Sequence, residues 1–298
     1  MPDAVAAFIP DGASVALGLA LESLIPFAAG HEIIRQRKQG LTLIGPISDI
    51  LFDQLIGAGC VSRVIAAWVG NVSAGLAHNY RRALEGDKPS LVVEDHSNFS
   101  IALALRAGAM GVPYLPTRSL LGSDLLRSNP HFRIIHDDGV PLVRVPALAP
   151  AVAIVHTQRA DDQGGAHCWG NLGISEDAAL AARQVIVIAE EIVPSSVIRS
   201  DPNRVLLPAF KVCAVVHEPG GAHPSPVQGH YGRDHAMYHD YHQASRTAEG
   251  FARWQSEWID SVSGRQAYLS RLGAGRWADL SRPATRTPRL AAAVDYGY

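Results

Sequence analysis

Short β-branched apolar runs that alternate with stretches of helical periodicity constrain this chain more than any other feature. Ser14 to Leu19 reads as a strand after the turn Pro10-Asp11-Gly12. Ile25 to Arg37 follows as a helix, with Pro26 tolerated near its first turn. Leu41 to Ile44 is a second strand, and Ser48 or Asp49 is placed to cap a helix that runs through Leu55 and stops at Gly57-Ala58-Gly59. Val61 to Val69 makes a third strand closed by Gly70-Asn71, and Gly75 to Leu84 a third helix. A fourth unit begins at Leu91-Val92-Val93 after Pro89-Ser90 and continues into an apolar helical pattern from Phe99 to Ala109, with Ser97 or Asn98 as its cap. Strand-then-helix units joined by short connections imply right-handed crossovers. The expected fold is therefore α/β: an open, mostly parallel sheet with helices on both faces.

The remainder is less regular. Prolines 113, 116, 130, 141, 146 and 150 break the next forty residues into expected loops and short strands. Ala151 to Thr157, Val185 to Ile188 and Val212 to Val216 read as further strands, Ser175 to Arg183 as a helix capped by Ser175, and Glu190-Glu191 as acids at a strand end. From Thr247 onward Phe251, Trp254, Trp258, Tyr268 and Leu272 recur at helical spacing. We expect an α/β domain over residues 1–245 and a C-terminal helical tail over residues 246–298, with a surface strap after Pro283.

Composition removes several function classes. At 298 residues and 47% hydrophobic the chain can bury a large core, and a net charge of −2 offers no basic field to attract nucleic acid. No apolar run approaches the roughly 18–20 residues that span a bilayer. Met1-Pro2-Asp3 lacks the basic start of a secretory signal, so no membrane partner and a cytoplasmic location are expected. Cys60, Cys168 and Cys213 are odd in number and lie in apolar surroundings, which suits reduced, buried thiols.

Chemistry is expected outside the carboxyl ends of the parallel strands. The turn after the fourth strand, Glu94-Asp95-His96-Ser97-Asn98, presents Glu94 as a carboxylate able to act as base or nucleophile, or to be tied structurally to neighbouring N–H groups. Arg118 could fork a carboxylate or phosphate. Gly18 and the Gly70-Asn71 turn are candidate oxyanion donors through the backbone. No phosphate-binding loop or dinucleotide fingerprint follows any strand. His235, His239 and His242 would share a helix face, but no carboxylate completes a His-Glu-x-x-His pattern, so no metal is expected.

Ile25-Pro26-Phe27-Ala28-Ala29-Gly30-His31-Glu32-Ile33-Ile34-Arg35-Gln36, Asp53-Gln54-Leu55-Ile56-Gly57-Ala58-Gly59, Trp68-Val69-Gly70-Asn71 and Pro219-Gly220-Gly221-Ala222-His223-Pro224-Ser225 stand in the order found in another family. They resemble the A (α) subunit of class I CoA-transferases, closest to the glutaconate CoA-transferase group, over about Asp11 to Leu272. That resemblance implies a coenzyme A thioester and a small carboxylic acid as substrates and no permanently bound cofactor. It also implies a B-subunit partner in a hetero-oligomer of α2β2 type, which carries the nucleophilic glutamate in a Glu-x-Gly context. The Glu-x-Gly here, Glu218-Pro219-Gly220, falls in the A-type turn and reads as a turn acid. The implied pocket is lined by Gly18, Gly70, Asn71, Ser97, Asn98 and Arg118, with Glu94 as this chain's candidate catalytic group. Where the wider family shows a Gly-Gly pair after the first strand, this chain has Gly18-Leu19. A related branch opens rings of CoA thioesters by hydrolysis with a carboxylate from the A-type polypeptide, which makes a hydrolase using Glu94 the second reading. A non-enzymatic ligand-sensing role on the same fold is the third.

Overall fold

The computed structural model describes residues 1–85 and 91–281. Pro89-Ser90 and the strap expected after Pro283 lie outside the described residues. In chain order the first half contains α1 (Pro2–Phe8), β1 (Ser14–Ala16), α2 (Phe27–Arg35), β2 (Leu41–Ile47), α3 (Asp49–Gly57), β3 (Val61–Trp68), α4 (His78–Glu85), β4 (Val92–Asp95) and α5 (Asn98–Ala109). An insertion follows, built of β5 (Tyr114–Thr117), α6 (Leu125–Ser128), β6 (Arg133–Asp137) and β7 (Val140–Pro146). The sheet then resumes with β8 (Val152–Ala160), β9 (Ala166–His167), α7 (Ser175–Ala181), β10 (Gln184–Ile192), α8 (Ser195–Arg199) and β11 (Val212–His217). The chain continues through α9 (His235–Ser245), α10 (Ala248–Gln255), α11 (Arg265–Leu272) and α12 (Ala274–Ser281).

The eight-stranded sheet has the order β11-β10-β8-β1-β2-β3-β4, with β9 antiparallel on β8 and every other pairing parallel. The chain winds outward from β1 to β4, then crosses back and builds the other half from β8. The reversal between β1 and β8 is where an open α/β sheet forms its crevice.

Period-2 alternation divides the apolar residues between two faces. Val15, Leu43, Val64, Ile154 and Ile188 turn toward Phe27, Ile33, Phe52, Tyr238, Tyr241, Trp254 and Tyr268. Ala16, Ile44, Ile65, Val155 and Val187 turn toward Ile101 and Leu105 of α5 and Ala178 and Ala179 of α7. Helices cover both sides, which is why the strands read as nearly continuous apolar runs. Phe251, Trp254, Tyr268 and Leu272 of the C-terminal helices belong to the first of these cores. The proline-punctuated middle forms a small antiparallel sheet, β5-β7-β6, whose Val143 and Val145 pack with Ala104 of α5 and with Leu120 and Phe132.

Several local expectations are corrected. Ser48 occupies the cap position of α3, but its hydroxyl donates to the Leu17 carbonyl at 2.9 Å and caps nothing. The cap of α7 is Ile174, and Ser175 is already helical. Strand β10 runs on through Glu190 and Glu191, so both acids are within it. Cys213 is only partly buried, its thiol donating to the Val185 carbonyl at 3.3 Å. Among the described residues no helix is long and apolar enough to cross a membrane.

Candidate functional site

Strand β4 is the edge of the sheet, and Glu94 is its third residue, opposite Ile65 of β3. The pairing continues past the strand, since the His96 N–H donates to the Ala66 carbonyl at 2.9 Å. The His96 ring is thereby turned back onto Glu94, Nε2 lying 3.3 Å from Oε1, while its Nδ1 is 3.1 Å from the Ser100 hydroxyl. An edge-on contact with Phe132, centroids 5.2 Å apart, holds the ring.

The next residues start the helix. Ser97 and Ser100 form a reciprocal capping box: the Ser100 N–H donates to Ser97 Oγ at 3.0 Å and the Ser97 N–H to Ser100 Oγ at 2.9 Å. Ser97 is therefore the cap, and Asn98, the first helical residue, is exposed to solvent. The same Ser100 hydroxyl that closes the box also meets His96, so the helix start and the acid site share one group.

Two further basic groups complete the surroundings of Glu94. The insertion delivers His131, because buried Asn129 donates through Nδ2 to the Asp95 carbonyl at 2.9 Å and accepts the His131 N–H at 2.9 Å. His131 Nε2 then stands 3.6 Å from Glu94 Oε2, and Arg63 Nη1 of β3 stands 3.9 Å from it. Burial of Glu94 opposes its ionisation, but the His96 hydrogen bond and the charges of His96, His131 and Arg63 outweigh it and hold the carboxyl below its ordinary value. The arrangement keeps an anion at the carboxyl end of β4, with a half-exposed imidazole on its open side.

The glycine turns are engaged differently. Gly18 adopts φ +68, and a Cβ there would lie 2.4 Å from the Ser48 hydroxyl, so the position needs glycine on both conformational and steric grounds. Asn71 is buried and builds its own turn, accepting the Ser73 and Ala74 N–H groups at 3.0 Å each and donating to the Tyr238 carbonyl at 2.8 Å. Its own N–H donates to the Gly75 carbonyl at 3.1 Å. A Cβ at Gly70 would meet the Trp68 indole at 2.0 Å. Arg118 is exposed, and its guanidinium makes no hydrogen bond or ion pair with the described residues. Glu94 itself contacts none of Gly18, Asn71, Ser97, Asn98 or Arg118 through a hydrogen bond or ion pair.

Pattern reading offered Asp49 only as a helix cap, whereas in the structure it joins these turns. At φ +50 its Oδ1 accepts the Ile50 and Val72 N–H groups at 3.0 Å each, and its Oδ2 accepts from Arg233 Nη1 at 2.9 Å. Burial raises its pKa, against the pull of the Val72 N–H and Arg233. Its positive φ just past β2 is the kind of signal that only coordinates reveal. A second buried acid, Glu190, accepts from Tyr231 Oη at 2.5 Å and the Gly220 N–H at 2.7 Å, with His156 Nε2 2.7 Å away. The loop from Pro219 to Ser225 is thus fixed to the sheet, while His223 bridges Asp234 and Tyr268 at 2.9 Å each.

His235, His239 and His242 do lie on one helix, α9, with His235 Nδ1 3.1 Å from the Ser73 hydroxyl. Among the described residues no group of three or more His, Cys, Asp or Glu is placed to hold a metal ion.

Comparison with known proteins bears on this arrangement as a whole. Residues 1–218 match the family model described as Coenzyme A transferase. The chain is 38% identical over 277 residues to the A-type polypeptide of 3-oxoadipate CoA-transferase from Pseudomonas knackmussii, covering 92% of this chain and 97% of that one. It is 33% identical to the A-type polypeptide of glutaconate CoA-transferase from Acidaminococcus fermentans, covering 94% and 93%. The crystal structure of the Acidaminococcus enzyme superposes with a TM-score of 0.90 at 32% identity over 99% of this chain and 97% of that chain. A cholesterol ring-cleaving hydrolase polypeptide of Mycobacterium tuberculosis is 26% identical over 84% of this chain and 89% of that one.

Proposed function

This chain belongs to the coenzyme A transferase family as an A-type subunit, and on that premise we propose that it moves CoA between a small acyl-CoA and a carboxylic acid in a cleft completed by a B-type subunit. The observation that carries the reading is the state of Glu218, the chain's own Glu-x-Gly acid. Its N–H is bound to the Ala189 carbonyl and its C=O to the Gly221 N–H, and Gly220, two residues on, is held on Glu190 and Arg265. Its backbone is fixed in the turn that the sequence resemblance assigns to A-type chains, and this reading therefore takes its nucleophile from the partner.

In this reading the partner's carboxylate attacks the thioester carbonyl and expels CoA thiolate, giving a mixed anhydride. The thiolate then attacks the glutamyl carbonyl, releasing the first acid and leaving a glutamyl-CoA thioester. The acceptor carboxylate attacks that thioester, and the thiolate it expels attacks the new anhydride at the acceptor's carbonyl, so that acyl-CoA forms and the glutamate returns. Dividing one difficult exchange into such steps is what a carboxylate nucleophile contributes.

This chain supplies walls and charge. Arg118 presents a free fork suited to a substrate carboxylate. Gly18, Gly70, Asn71, Ser97 and Asn98 form the rim, and Glu94, kept ionised by its three basic neighbours, orients or repels groups that enter beside it. The assembly would be of α2β2 type in the cytoplasm, with residues 1–245 as the α/β domain and the segment from residue 246 as a tail whose described helices pack into that domain's core.

One observation favours a second reading. An anionic, largely buried Glu94 flanked by His96 and His131 is also the arrangement of a general base that activates water, and the hydrolase relative lends it a precedent in fold. A sensing role without catalysis has no observation in its favour. The test is co-expression with a B-type chain, incubation with acyl-CoA and mass spectrometry of both chains. A glutamyl-CoA adduct on the partner and none on this chain is expected. Ping-pong exchange by this chain alone would overturn the proposal.

A further inference from the structure

Along one face of α4 the residues His78, Arg81, Arg82 and Glu85 fall at i, i+3, i+4 and i+7. With Leu76 and with Arg246, which follows α9, they line a recess of about 410 Å³. Arg82 ties its two sides together, since its Nη1 donates to the Ser245 and Arg246 carbonyls at 2.9 and 3.2 Å. Arg81 reaches Glu85 through Nε and Nη2 at 3.0 and 3.2 Å, while Arg246 makes a single long hydrogen bond, through Nη1 to Gln243 at 3.4 Å. Three guanidiniums therefore share the recess with one carboxylate.

Behind them the His78 and His242 rings lie 4.7 Å apart, with His78 Nε2 and His242 Nδ1 buried and without a hydrogen-bond partner among the described residues. Gathering three like charges around one carboxylate is unfavourable unless a further counter-charge fills the space. A cation is the wrong ligand here, because three arginines repel it, Glu85 is already paired with Arg81, and among the described residues no three His, Cys, Asp or Glu are placed to hold a metal.

We propose that the recess between α4 and the C-terminal end of α9 binds a phosphate-type dianion, held by Arg81 and Arg246 with the His78 ring behind them. Arg81 Nη1 and Arg246 Nη2 have no partner among the described residues, so both are available as donors. Leu76, 48% exposed at the rim, gives an apolar shoulder to whatever carries the phosphate. His78 is held below its ordinary pKa by burial and then by His242, Arg82, Arg246 and Arg81, and a bound dianion reverses that balance and raises it. The phosphate belongs either to coenzyme A, at its ribose 3′ position, or to free orthophosphate. The first source rests on the transferase reading, whereas anion binding does not.

The test is isothermal titration of orthophosphate and of adenosine 3′,5′-bisphosphate into the full chain at low salt, with the His78 ring protons followed by NMR across pH. Saturable binding and a raised His78 pKa are expected. The double variant Arg81→Gln/Arg246→Gln, at two exposed positions, should weaken binding at least about tenfold while leaving the thermal melt unchanged. Titration of coenzyme A against its dephospho form then assigns the source: a preference for coenzyme A that the double variant loses identifies the 3′-phosphate, and equal binding with orthophosphate saturating identifies the free anion. No saturable binding of any probe, or binding that the double variant retains, overturns the proposal. Because no turnover is measured, this result stands apart from the fate of the transferase assignment.

Discussion

Glu94 and His96 are two residues apart in sequence and touch through their side chains, Oε1 to Nε2 at 3.3 Å, although only the first of them belongs to β4. The contact follows from the strand's period of two, extended one residue by the His96 N–H bond to Ala66. An acid this buried would ordinarily resist ionisation. Here the imidazole, with His131 and Arg63, reverses that tendency.

Replacing Glu94 with Gln keeps the shape and removes the charge. In the reconstituted pair, turnover should fall by about a hundredfold or more, in the range for a lost acid or base group, with little change in the thermal melt. Unchanged turnover and unchanged substrate binding would exclude Glu94 from the site.

His131 offers a milder perturbation because it is half exposed. In His131→Gln the Glu94 carboxyl loses one of the charges that depress its pKa, so that pKa rises. The acid limb of the kcat/KM profile should move to higher pH by less than about one unit, since a partly exposed charge is screened. A limb that stays in place, or moves to lower pH, contradicts the electrostatic account.

Stability should decline on mild acidification. Burial, offset in part by Asp234, lowers the His223 pKa from 6.5 to about 4, and burial together with the nearby arginines lowers His31. Between pH 6.5 and about 4 the unfolded chain binds protons that the native chain does not, so the stabilisation is complete above pH 6.5 and is lost progressively below it. Asp234, held below its ordinary value against its burial by His223 and Arg276, extends the loss at still lower pH. Buried Asp49, whose pKa is raised, works in the opposite direction. The measurement is therefore the urea midpoint from about pH 7.5 to about 4 for the chain and for His223→Gln. The variant should lose less on acidification, and equal losses would mean that His223 is not buried in the neutral form.

Gly18→Ala tests the turn after β1. The left-handed φ disfavours any side chain and the Ser48 hydroxyl occupies the space, so the variant should lose more than about 1 kcal/mol by urea denaturation. Gly12→Ala shares the positive φ but has nothing within 4 Å, and should lose less. Equal losses would show that the steric contact with Ser48 contributes nothing.

Much of the architecture could be read from local pattern. Val15, Leu43 and Val64 alternate with Ala16, Ile44 and Ile65 because each strand is buried on both faces, and that signal survives without tertiary knowledge. A cap at Ser97 or Asn98 was equally legible, since a short polar side chain before an apolar run is a local signal, and the coordinates chose Ser97. Ser48 and Ser175 had the same chemistry in the same position and did not cap. The Leu17 carbonyl, 31 residues away, claimed the Ser48 hydroxyl, and the helix at 175 began one residue early.

The sequence alone determined the strand-and-helix alternation, the strand end that carries an acid and the kinship of the chain, because each is written in the order and spacing of neighbouring residues. Only the tertiary structure decided that Glu94 is surrounded by His96, His131 and Arg63, that Asp49 binds two turns to Arg233, and that Arg246 faces the flank of α4. Most of those groups lie tens to hundreds of residues apart along the chain. Charge interactions depend on separation in space and on burial, and neither is fixed until the sheet has folded and its loops have closed over it.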